Sequence, residues 1–285
     1  MAFLGQGLEA TIAATLVLAC SAACMCDDSG FEKLPPPKPG DWLYVHKERG
    51  QTVAQYREQC ANRKTKQRSV IYIQPFGDMA STRPELLETL REYLSLFFDC
   101  RAVTLDPLPL PKEAFHPKRR WGWDQYDADL LLRKLEDRTP RDAVAVAGIT
   151  DADLFHGDMN FVFGLAAMTM RVGVYSINRY AHTYRGQPKD CTLLKRTLKV
   201  ANHEIGHLFF MEHCTRYKCT MNGSNSLIES DSRPIHLCPI CLKKLEWNIG
   251  FDRVKRYKKL RDFYRKIGLK DDAAFVAKQA ERPGP

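Results

Sequence analysis

The stretch HEIGHLFFMEHC, from His203 to Cys214, restricts the fold more than any other part of the chain. On a helix, His203 and His207 project from one face about one turn apart. That spacing lets two ring nitrogens reach a single ion at ~2.0–2.1 Å. Glu204 is angled off the pair and is placed to hold a water rather than to ligate. His213 lies six residues beyond His207, out of reach of the same ion along a continuous helix. The helix is therefore expected to end near residue 210 and the chain to turn back. A zinc held by three histidines keeps a fourth position for water, which hydrolysis requires, and Glu204 can accept that water's proton. Met221, eight residues further on, sits where a buried methionine beneath the metal is expected, although a lone Met is otherwise ordinary core packing.

The ten cysteines are unevenly spread. Cys20, Cys24 and Cys26 crowd the N-terminus, and Cys60, Cys100 and Cys191 are isolated. Cys214, Cys219, Cys238 and Cys241 follow the histidines and end in a Cys-x-x-Cys knuckle. Two sulfurs three positions apart suit a tetrahedral metal better than a structural disulfide, and zinc-held thiolates fit a reducing, intracellular compartment. Disulfide pairing of the same four is the alternative.

Over 285 residues, 44% hydrophobic and 27% charged composition is ordinary for a globular chain, and a mean hydropathy of -0.38 excludes a multi-span membrane protein. Much of the net charge of +9 comes from one C-terminal run, Arg253 to Lys266. An apolar stripe (Phe251, Val254, Tyr257, Leu260, Phe263, Ile267) runs through that segment, so packing explains the helix and a nucleic-acid partner is not expected. The apolar segment Ala10 to Cys26 lacks a basic residue ahead of it and is short for a span. Its expected state is a poorly ordered segment; secretion or anchoring through residues 10–26 is the alternative.

A Pro-rich connector, KLPPPKPGDW (Lys33 to Trp42), follows. Residues 41–67 are polar, with Trp42 and Tyr44 as anchors. Arg68 to Gly77 reads as a buried strand, Pro84 to Phe98 as a helix, Arg101 onward as a strand, Asp127 to Asp137 as an amphipathic helix, and the apolar run Asp142 to Thr150 as a strand covered on both faces. This alternation predicts a βαβ-type sheet. Asn160 to Met168 and Val172 to Tyr180 read as two more strands, and a helix from about Cys191 leads into the histidines. After Gly268 the chain is polar and is expected to fray. The organisation expected is a segment 1–40, one catalytic-type domain over 41–268, and a tail over 269–285.

HEIGH at 203–207, His213-Cys214, Cys219, Met221 and CPIC at 238–241 together resemble the archaemetzincin family of zinc metallopeptidases. Flanking stretches (RSVIYIQPFG, VAGITDADLF, NFVFG and GSNSLIESDSRPIHLCPICLKKL) are similar as well, so the likeness spans roughly residues 40–265. The resemblance implies a compact α/β zincin domain of metzincin type, with a mixed, mostly parallel sheet, an active-site helix and a small C-terminal four-cysteine zinc subdomain. It implies His203, His207 and His213 as catalytic-zinc ligands, Glu204 as general base, Met221 as the Met turn, and Cys214, Cys219, Cys238 and Cys241 around a second, structural zinc. Four thiolates form a closed shell that cannot activate water. The implied activity is hydrolysis of short peptides as an aminopeptidase, by a monomer. Val172, Gly173 and Val174 would belong to the edge strand that pairs with an extended substrate.

One residue departs from that pattern. Metzincins carry Gly where this chain has Phe210, because the turn there favours φ > 0, which costs a bulky residue ~1–2 kcal/mol. The competing reading is a zinc-stabilised, partner-binding protein with a degenerate active site.

Overall fold

The computed structural model describes residues 30–181 and 190–282; the apolar N-terminal segment and residues 182–189 and 283–285 lie outside the described residues. Two short helices, α1 (Trp42–Val45) and α2 (Val53–Gln59), precede strand β1 (Val70–Pro75). Helices α3 (Met79–Thr82) and α4 (Pro84–Phe97) lead to β2 (Arg101–Thr104), followed by the hairpin β3 (Phe115–Arg120) and β4 (Trp123–Asp127). Then come α5 (Ala128–Glu136), β5 (Ala143–Thr150), β6 (Leu154–Phe155), β7 (Gly164–Ala167), β8 (Val172–Ser176) and α6 (Asn178–Ala181). The remainder is helical: α7 (Asp190–Leu208), α8 (Leu227–Asp231), α9 (Pro239–Ile249), α10 (Arg253–Lys266) and α11 (Lys270–Ala280).

The main sheet runs β2-β1-β5-β8-β7, parallel except for β7, which pairs antiparallel to β8. A small second sheet joins β3, β4 and β6. The period-2 alternation of the strands divides the core in two. Ile71, Ile73, Ala145, Ala147 and Tyr175 face α4, α7 and the C-terminal helices, while Val146, Val172 and Val174 face α5. Every residue of β5 is buried, as its unbroken apolar run requires of a strand covered on both faces.

Two expectations are corrected. Val172, Gly173 and Val174 do not form an edge: β8 is hydrogen-bonded to β5 on one side and β7 on the other, and Val172 and Val174 are wholly buried. The edge is β7. Its residues are half-buried, and among the described residues its outer backbone groups have no strand partner. Nor does the chain fray after Gly268. Gly268 (φ 79°) ends α10, and α11 folds back so that Ala273 and Val276 pack against it. A polar average hid this amphipathic stripe. Phe31 also stacks edge-on against His236 and Phe275, so the chain just ahead of the Pro-rich connector is fixed to the same region. Trp42 is an anchor, its backbone N–H donating to Glu229, whereas Tyr44 is largely exposed. Among the described residues no helix is long and apolar enough to cross a membrane.

Candidate metal and hydrolytic site

Helix α7 buries Leu198, Ala201, Ile205 and Leu208 on its core face. The 3–4 spacing of those residues turns Lys199, Val200, His203, Glu204 and His207 toward a cleft of about 710 Å3. Gly206 lies over Met221: a Cβ at 206 would overlap the Met221 sulfur, so the helix sits directly on the buried methionine.

The helix then ends in a Schellman turn. Phe210 N–H donates to His207 O (2.8 Å) and Met211 N–H to Gly206 O (3.1 Å), with Phe210 in the left-handed region at φ 64°. The position expected to demand glycine does have positive φ, and a phenylalanine occupies it. The last carbonyls of the helix are met from a distant segment. Asn62 Nδ2 donates to Leu208 O (2.8 Å), the Tyr56 hydroxyl to Phe209 O (2.7 Å) and Gln51 Nε2 to Phe210 O (3.3 Å). Buried Lys244 of α9 in turn donates to Gln51 Oε1 (3.0 Å).

This turn brings His213 back beside the other two imidazoles. Ring centroids stand 4.6, 5.2 and 4.9 Å apart, and one ring nitrogen from each lies within 4.8 Å of the others. Each Nδ1 faces an oxygen: His203 donates to Thr220 O (2.9 Å), His207 to Met211 O (2.7 Å), and His213 to the Glu48 carboxylate (2.9 Å). Those bonds place the protons on Nδ1 and leave Nε2 as the free lone pair. Burial pushes His203 down to about 3 and His207 well below the usual range, so both rings are neutral, as ligands must be. The Nε2 atoms of His203 and His207 are 3.1 Å apart, against about 3.3 Å for two nitrogens on a tetrahedral zinc. The donor set fits the ion.

Glu204 is 6% exposed and lies flat against the edge strand, where a Cβ at Gly164 would overlap its carboxylate. Burial raises its carboxyl to about 8 in the absence of a cation. Glu48 shows the opposite balance. Burial opposes its ionisation, yet the hydrogen bonds from His213 and the Trp42 indole and the charge of His213 hold its carboxyl below the ordinary range.

The four cysteines, all buried, place their sulfurs within 4.8 Å of one another as free thiols. Cys214 and Cys238 Sγ are 3.6 Å apart, close to the roughly 3.8 Å of two thiolates on a tetrahedral zinc and far from a disulfide bond. Hydrogen bonds from the other thiols push Cys214 down while burial pushes Cys219 up, so full ionisation of the set needs a cation. Asn222 closes the connecting loop, donating to Cys214 O and Tyr217 O and accepting from Cys219 N–H. Cys214 N–H donates to Met221 O (2.8 Å), tying the sulfur cluster to the methionine beneath α7.

Sequence reasoning located the seven metal-ligand candidates, Glu204 and Met221. It did not find Glu48, Gln51, Tyr56, Asn62 or Gly164. For Gln51, Tyr56 and Asn62 the available signal was indirect: a helix lacking its C′ glycine needs its terminal carbonyls satisfied by other groups.

The pattern of Peptidase family M54 matches residues 119–247. Archaemetzincin-2 of Homo sapiens is 36% identical over 256 residues, covering 78% of this chain and 71% of the relative. Archaemetzincin of Pyrococcus furiosus is 36% identical over 186 residues, covering 64% of this chain and 95% of the relative. Among solved structures, a zinc-dependent peptidase from Methanocorpusculum labreanum superposes with a TM-score of 0.53 at 27% identity, over 61% of this chain and 99% of that one. The chain belongs to the archaemetzincin family of zinc metallopeptidases.

The left-handed turn has a direct test. Phe210→Gly and Phe210→Ala remove the same half-buried ring, but only glycine is relieved of positive φ. Denaturant unfolding should find the Gly variant more stable than the Ala variant by about 1 kcal/mol, the reverse of the order inside a helix. Equal stability, or Ala ahead, would show that the turn is not left-handed in solution.

Proposed function

We propose that this protein hydrolyses peptide bonds at the three-histidine site, acting as an aminopeptidase on short peptides, and that it carries two zinc ions, one catalytic and one structural. The reading rests on one observation above the others. Three imidazoles converge through Nε2 beside a buried carboxyl group that itself lies against the edge strand β7. His203, His207 and His213 would hold a zinc ion, which would supply Lewis acidity and make the attacking water more acidic.

An extended peptide added to β7 runs its backbone past Gly164, which puts the scissile carbonyl next to Glu204. Glu204 accepts the proton of the attacking water and returns it to the departing amine; its buried position is suited to holding a proton between those two steps. Glu48 fixes the His213 ring through Nδ1, and the Thr220 and Met211 carbonyls fix the other two, so the ligand set is oriented before substrate arrives. The exposed carboxylate of Asp158, on the cleft rim beside Arg120, provides a partner for a free amino terminus. The bounded volume of the cleft suits a short peptide. Cys214, Cys219, Cys238 and Cys241 would hold the second ion in a closed shell whose task is to fix the loop that carries His213. A non-catalytic role drew on Phe210, and the turn forms with that residue in place.

Glu204→Gln should retain metal at the histidine site and lower peptide hydrolysis by about 10²–10⁴-fold. Wild-type turnover in that variant, measured on a peptide library, would remove Glu204 from the mechanism. Elemental analysis should return two zincs per chain. The histidine site should lose its zinc first on mild chelation, because the thiolate shell has no open position. One zinc or none on intact protein would contradict the two-site reading.

A further inference from the structure

The cleft does not end at the histidines. One turn before His203, Lys199 projects from the same face of α7 and is only 6% exposed. Its ammonium donates to Ser230 O (2.6 Å), and among the described residues no carboxylate lies within ion-pair distance of it. The two carboxylates in its neighbourhood are already engaged: Asp231 takes Arg196 on both oxygens (3.0 and 2.6 Å), and Asp272 takes Lys195 (2.6 Å). Arg233 lines the same end of the cleft with a side chain 11% exposed. Its one carboxylate contact, to Glu229, is long at 3.4 Å, and Glu229 is occupied by the backbone N–H groups of Trp42 and Asn225. Among the described residues the buried Arg233 Nε has no acceptor.

Among the described residues four cations, Lys195, Arg196, Lys199 and Arg233, thus face three carboxylates, Asp231, Asp272 and Glu229, and the two cations that line the cleft are the incompletely paired ones. A buried charge without a counter-charge is costly, and a purely structural lysine tying α7 to a carbonyl of α8 would not need to line the cleft. A carboxylate entering this end would accept from the Lys199 ammonium and the Arg233 guanidinium and complete both.

We infer that the cleft beside the three histidines holds a binding site for a substrate carboxylate, with Lys199 and Arg233 as its specificity-determining residues. The inference rests on the peptidase reading for the nature of the ligand. The carboxylate belongs to the residue flanking the scissile bond: it is either an Asp or Glu side chain or, in a dipeptide, the free C-terminus.

The test uses the full-length, zinc-loaded protein carrying Glu204→Gln, so that peptides bind without being cut, and calorimetry on two matched pairs. One pair differs only in Glu against Gln beside the intended scissile bond. The other is a neutral dipeptide ending in a free carboxylate or in an amide. The acidic member of a pair should bind at least about tenfold more tightly than its neutral partner. Adding Lys199→Met or Arg233→Met should shrink that ratio, the lysine change bringing it to within about twofold. Selectivity in the first pair assigns the site to a side chain, and selectivity confined to the second assigns it to the C-terminus. Equal affinities within both pairs would overturn the inference, as would a preference undiminished in both Met variants. If Lys199→Met fails to fold, the wild-type ratios and Arg233→Met still decide. Carboxylate-selective binding together with no turnover by the unmodified protein would remove the peptidase reading and leave this site standing.

Discussion

The site depends on how helix α7 ends. Two of its histidines come free with the helical repeat, but the third does so only if the chain reverses within six residues of His207. The Schellman turn accomplishes this by placing Phe210 at φ 64° and folding Met211 back onto Gly206. In that conformation a phenylalanine costs roughly 1 kcal/mol that a glycine would not. The surroundings overdetermine the turn. Asn62, Tyr56 and Gln51 each take one of the final carbonyls, and Lys244 holds Gln51 in place. Net hydrogen bonds of about 1 kcal/mol each are ample to offset the strain.

The same N-terminal segment reaches the metal site itself. Glu48 grips His213 through Nδ1 and takes the Trp42 indole N–H, while the Trp42 backbone is held by Glu229 beyond the methionine loop. Residues 42–62 therefore act as a clasp across the end of α7, tying it to the loop that carries the third histidine and two of the four cysteines. The sulfur cluster secures that loop from the other side, since Cys214 is both the neighbour of His213 and a hydrogen-bond partner of Met221. The sulfur cluster and a hydrogen-bonded clasp thus converge on one ring.

How far the sequence revealed this depended on the range of the interaction. The ligand spacing, the covered strand β5 and the amphipathic faces of α4 and α5 are local patterns, and each reads directly from the residues. A turn near residue 210 was also legible, because the spacing of the three histidines required one, and the positive φ there was implied by the resemblance to metzincins, which carry Gly at that position. Contacts between distant segments were not legible. Nothing in the run from Glu48 to Asn62 announces that its side chains meet α7 some 150 residues later. The edge strand was misassigned for a related reason. Val172 to Ser176 has the stronger β-forming sequence, and only the sheet order shows that the weaker segment, Gly164 to Ala167, covers it. The small side chains of that weaker strand let Glu204 lie against it. In α11 a polar average concealed the buried face of Ala273 and Val276.

The claim that residues 42–62 build the third ligand position is tested most directly by zinc affinity at the histidine site in Glu48→Ala, by competition titration with the four-cysteine site left loaded. Loss of a carboxylate behind a ligating imidazole should weaken binding at that site by about 10–100-fold and leave the cysteine site unchanged. Wild-type affinity in this variant would mean that His213 is oriented without the clasp, and the central claim would fail.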